Sequence, residues 1–283
     1  MGARIGYLGL LLALSALLFR SVLRQLLELA WRNENYSYIL FVPLISAGLL
    51  YAGRARFFSA VEFSPRLGAP LFCLGALAFF AVNHLAWAMG AVVLVWISGF
   101  LWFFGPRSAW AARFPLLTLA LVIPLPSPAM KAVETFLQYS SAEVTHWLLL
   151  LSGMPFLRNG LQFSLPGVVV EVAPECSGIR SATGLILTAI VLGYLFLRSG
   201  WSRAWLLLLA IPITIFKNAA RIAILSWLGV NVSTDYLHGL LHHRGGPLFV
   251  LLALALLLAT LLMLQGAEGD RGKTPQRSEP LAS

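Results

Sequence analysis

Between Pro247 and Leu264 the chain carries no charged side chain, and Ile5–Leu18 carries none either. Runs of this length and apolarity match the hydrocarbon core of a bilayer. In lipid every backbone N–H and C=O must be paired internally, which leaves only helices or closed barrels. Barrel strands alternate apolar and polar side chains, and these runs do not. The chain therefore reads as all-α, a polytopic transmembrane helical bundle. Composition agrees with that reading. The sequence is 59% hydrophobic and 11% charged, where a soluble domain carries about 25% charged residues.

About eight spans follow from the apolar runs, at 5–23, 38–53, 67–86, 88–105, 114–126, 178–197, 204–227 and 247–265. The fifth is short and is ended by Pro124, Pro126 and Pro128. Along 129–152, Lys131, Glu134, Gln138, Glu143 and His146 recur on an otherwise apolar background, the pattern of an amphipathic interfacial helix. The first span has Phe19 and Arg20 where a signal peptide would have its small-residue cleavage site, so it reads as an anchor. Residues 1–266 form one transmembrane domain. The polar, Pro- and Gly-rich stretch 267–283 reads as a disordered tail.

Loop charges set the orientation. With the N-terminus inside, the cytoplasmic side holds eleven Lys and Arg residues and the external side seven, the bias expected of cytoplasmic loops. Both termini are then cytoplasmic. The net charge of +9 is spread singly between apolar runs, with no basic stripe to hold nucleic acid. The two cysteines give no disulfide framework. Cys73 lies mid-run and reads as a small buried apolar residue.

In this orientation three polar stretches fall at the external face: VAPECSGIR (172–180), KNAAR (217–221) and HGLLHHRGG (238–246). Pro174 stops helix on its N-terminal side, and Ser177 and Gly178 suit the N-cap and first turn of a helix running from Ile179. Cys176 then sits at a helix N-terminus, where a thiolate is favoured. From the residues alone it is either a reactive thiol or a packed core cysteine. Arg221 lies in an apolar helix and shares a face with Lys217, with Asn218 beside them. It is either functional or a snorkelling anchor. His242 and His243 supply candidate bases, and His238 reads as a wet loop histidine. His84 and His146 read as interfacial. His238, His242 and Cys176 lack a further ligand pair of metal spacing, so no metal is expected, and no cofactor. Cys, His and Arg at one face suit acyl transfer: a thiolate attacks a carbonyl, an imidazole moves the protons and a guanidinium holds the oxyanion.

At these residues the sequence resembles the exosortase/archaeosortase family of membrane cysteine transpeptidases. The matching stretches are WRNENYSYILFVPL, FPLLTLALVIPLPSP, Leu137-Gln138, Ser140-Ser141, VEVAPECSGIRSATGL, KNAARI and HHRGGPLF. The likeness spans nearly the whole chain, residues 10–265, without the soluble domain that some members append. It implies an exosortase-like domain in a bacterial inner membrane, with its active site on the periplasmic side. It implies cleavage of a C-terminal sorting signal on exported proteins: a short motif of PEP-CTERM type, one transmembrane helix and a basic end. The family's catalytic Cys, Arg and His fall on Cys176, Arg221 and His242, which precedes Gly246 by four. Ser177, Gly178, Asn218 and His243 support them. A transporter, a non-catalytic assembly factor and lipid acyl transfer through the cysteine stay open on the residues alone. A transporter would call for polar residues on several helices and for repeat symmetry, which the sequence lacks.

Overall fold

The computed structural model describes residues 2–172, 178–232 and 246–271. They form helices joined by short connections, with one small sheet. The helices are α1 (Gly2–Leu18), α2 (Arg20–Arg32), α3 (Val42–Ala52), α4 (Arg54–Phe57), α5 (Pro65–Ala81), α6 (Leu85–Ala111), α7 (Arg113–Thr118), α8 (Ser127–Leu151), α9 (Ile179–Phe196), α10 (Gly200–Asn231) and α11 (Gly246–Arg271). Two short 3-10 segments precede α3 and follow α7. The chain packs as two compact units, Met1–Met130 and Lys131–Ser283.

Each of the eight expected spans overlaps helix, but the count of membrane crossings differs. Five of the described helices are long and apolar enough to cross, and up to seven if each sharply bent pair is one span. One pair joins α1 to α2 at 81°, and the other joins Arg113–Val122 to α8 at 96°. The fifth expected span is one limb of that second pair, ending at Val122 just before the prolines. The stretch expected to lie at the interface is one continuous helix, α8. Pro65–Ala81 is apolar but shorter than a full crossing.

In the first unit α5 lies tightly on α6. A Cβ at Gly68 would collide with that of Trp102, so only a glycine permits this approach. Pro106 cannot donate to Trp102, and α6 kinks at Gly105. The freed Trp102 carbonyl instead accepts from Ser64 N at 2.9 Å.

In the second unit α9, α10 and α11 share a core of Leu185, Ala189, Leu206, Ala210, Ala253 and Leu257. Between α8 and α9 runs an antiparallel meander that the apolar runs do not announce: β1 (Leu157–Asn159), β2 (Gln162–Leu165) and β3 (Val168–Glu171). Its turns are Gly160-Leu161 and Pro166-Gly167, with φ of 61° and 77° at the glycines. Glycine first and proline-then-glycine are what tight turns of types II′ and II require. Phe163, Leu165 and Val172 point into a second core with Ala142 and Leu149 of α8 and Ile222 of α10. Arg158 of β1 bonds Glu143 of α8 at 2.8 Å.

Helix α11 continues through Arg271 rather than ending near Gln265. The Glu268 carboxylate accepts from Arg198 N at 2.9 Å and Ser199 N at 2.8 Å, in the turn between α9 and α10. That long-range cap holds the extra turn, and no local sequence signal announces it.

Candidate functional site

The polar stretch of α10 is built inward. Lys217 is 4% exposed and Asn218 1% exposed, although each lies in a helix fit to span a membrane. Burying polar groups at such a depth is costly unless they are bonded. Lys217 Nζ donates to Ser181 Oγ of α9 at 2.6 Å. That hydroxyl donates in turn to the Gly178 carbonyl at 2.8 Å. Lys217 is therefore no snorkelling anchor. Arg221, one turn further on, is half-buried, and α10 continues ten residues beyond it to Asn231. That is about 15 Å of further helix.

The start of α9 is where sequence placed it, at Ile179, but its N-cap is Gly178. Gly178 sits in the left-handed region at φ 75°, ψ 13°. A Cβ there would meet the Asn218 side chain at 3.2 Å. Backbone conformation and the close approach of Asn218 both ask for glycine at this position.

Upstream, α8 holds the end of the meander. Gln138 Nε2 donates to the Val172 carbonyl, and Val172 N donates to Leu161 O at 3.0 Å. Val172 is fully buried in the core that includes Ile222 of α10. The residues on either side of 173–177 are thus both held, Val172 in the core that includes Ile222 and Gly178 against Asn218. Cys176 and Ser177 are in that segment, and His238, His242 and His243 are in 233–245. All five lie outside the described residues.

The third element shares this level. Glu268 of α11 is bonded at the α9–α10 turn, and Gln265 Nε2 donates to Phe196 O at 3.2 Å. Counting back the 18 residues of α9, about 27 Å, puts the first turns of α9 and α11 and the 217–221 stretch of α10 at one end of the three-helix packing. Among the described residues no group of His, Cys, Asp and Glu side chains is arranged to hold a metal ion.

A family model described as a transmembrane exosortase matches residues 30–259, well over half of the chain. The chain belongs to the transmembrane exosortase family. This makes it a sorting-related integral membrane protein, in keeping with its apolar helices. No curated protein and no solved structure matches it.

Within this exosortase, two positioning contacts escaped sequence reading: Gln138 on Val172 and Ser181 on Lys217. The first joins residues 34 apart and the second 36 apart, so no local period exposes them. His84 accepts from Ala86 N at the head of α6. The His146 ring packs edge-on to Phe156 at 5.2 Å.

Proposed function

We propose that the protein is a membrane-embedded cysteine endopeptidase or transpeptidase. It cleaves the C-terminal sorting signal of exported proteins at the external face of a bacterial inner membrane. The observation that supports this reading is how the two residues flanking 173–177 are held, Val172 in the core that includes Ile222 of α10 and Gly178 against Asn218 of α10. Cys176 is two residues from Gly178, so its Cα lies within about 8 Å of it by chain geometry alone. His242 is four residues from the start of α11, within about 15 Å of it, at the same end of the packing.

The chemistry balances with these three groups. The Cys176 thiolate attacks the carbonyl carbon of the scissile peptide, and the charge moves to the oxygen, which Arg221 stabilises. The oxyanion collapses, the C–N bond breaks and the His242 imidazolium protonates the leaving amine. A thioester remains. Neutral His242 then takes a proton from the incoming water or amine, which attacks the thioester and expels the thiolate. Asn218, Ser177, Gly178 and His243 support this arrangement. Both termini lie in the cytoplasm. The partners are exported proteins with a motif, a transmembrane helix and a basic end, together with membrane lipid. Nucleic acid, metal and cofactor play no part.

The test is the electrophoretic mobility of a candidate exported substrate in cells expressing Cys176→Ala, with membrane expression of the variant as control. Accumulated precursor is the expected result, and normal maturation overturns the reading. Cys176→Ser should fail too, because a hydroxyl is far less ionised than a thiol.

A further inference from the structure

Among the described residues, the buried Lys217 Nζ donates to a neutral hydroxyl, Ser181 Oγ, at 2.6 Å. Its place is unusual for a cation. Ser181 is the third residue of α9, and the N-terminal turn of a helix carries partial positive charge, which disfavours a cation. Burying the ammonium among apolar helices adds a desolvation cost. Among the described residues, no salt bridge of the kind that holds Arg158 and Arg24 is made by Lys217. What it does engage is the first turn of α9, through a continuous chain from Lys217 Nζ to Ser181 Oγ to the Gly178 carbonyl. Gly178 rests in turn on Asn218, the residue next to Lys217. Side chains from adjacent positions of α10 therefore grip both the cap and the first turn of α9.

We propose that Lys217 is a positioning residue which, through Ser181, locks the cap of α9 against α10 and holds a positive charge there. This rests on the reading of Cys176 as the nucleophile, two residues before that cap. The latch supplies what such a nucleophile needs: a fixed approach of its chain to Arg221, and a cationic surrounding that favours the thiolate.

The test needs no knowledge of the substrate. In the full-length protein with Cys73→Ser, alkylation of Cys176 by iodoacetamide is followed against pH in detergent. Lys217→Met and Ser181→Ala should each move the midpoint up by about one pH unit, with roughly tenfold slower alkylation at neutral pH. Ser181→Thr, which keeps the hydroxyl, should restore the original profile, whereas a purely packing role for Ser181 predicts no such rescue. An unchanged midpoint in Lys217→Met and Ser181→Ala overturns the proposal. So does a shift in Lys217→Met alone, because the charge would then act without the latch. If Lys217→Met does not fold, Ser181→Ala and its Thr rescue decide. Substrate maturation in Cys176→Ala is a separate readout. Its persistence would remove the nucleophile, while the alkylation profiles would still report on the latch.

Discussion

Gly178 and Asn218 meet at the cap of α9, where a Cβ on the glycine would stand 3.2 Å from Asn218 Cγ. The same glycine holds φ 75°. Gly178→Ala therefore faces two costs, a left-handed backbone worth about 1–2 kcal/mol and displacement of a buried amide. The shift falls two residues from Cys176. Processing of substrate should drop by tenfold or more, since small displacements of reacting groups are costly. Thermal unfolding in detergent should change by only a few degrees. Full activity in Gly178→Ala would separate the cap from the chemistry.

Gln138 on α8 secures the other end of the segment by donating to the Val172 carbonyl. Gln138→Leu keeps the bulk and leaves a fully buried carbonyl without that donor, at a cost of about 1–3 kcal/mol. A lower melting temperature and slowed substrate maturation are expected together. Gln138→Glu should be worse than Leu, because an ionised carboxylate offers no donor and repels the carbonyl. Limited proteolysis near residue 172, compared across the three proteins, reads the loosened anchor directly.

What the sequence could reveal divides along physical lines. Apolar runs are set by each residue's own transfer energy, so every expected span overlaps helix. The number of crossings is different. It depends on bends at Phe19 and at the Pro124–Pro128 stretch, whose angles are fixed by packing and not by composition. The meander carried a legible signal in Gly160 and in Pro166-Gly167, hidden because 157–171 is short among long helices. Lys217, Asn218 and Arg221 stood out as polar groups in an apolar helix. Their partners did not: Ser181 and Gly178 belong to another helix, and no period links them. The N-cap also moved from Ser177 to Gly178, since a left-handed glycine cap closes on Asn218 in a way that propensity alone does not weigh.

Glu268 offers a control on the opposite end of the same packing. Its carboxylate accepts two backbone N–H groups in the α9–α10 turn. Glu268→Ala removes both acceptors far from the 217–221 stretch. Melting temperature should fall by a few degrees while the maturation rate per folded molecule stays at the wild-type level. A large loss of activity in well-folded Glu268→Ala would mean that the three helices transmit strain along their length.

Arg221→Lys separates the two roles open to a cation in this helix. Arginine presents a planar fork of donors, and lysine a compact point charge. An oxyanion held by two parallel N–H bonds needs the fork, and loss of one such donor costs about 10²–10³ in rate. An anchor that merely reaches headgroups needs only charge and length, and lysine snorkels as well as arginine. Arg221 is half-buried with ten residues of α10 still to come, and Lys217 one turn away is turned inward to Ser181. Both facts favour the fork. Arg221→Lys should insert and express like the wild type and process substrate at least a hundredfold more slowly. The check is single-turnover cleavage of a substrate in co-reconstituted vesicles, with the amount of folded enzyme measured in the same preparation. Cleavage at the wild-type rate would return Arg221 to the role of an anchor and leave Cys176 and His242 to carry the reaction without it.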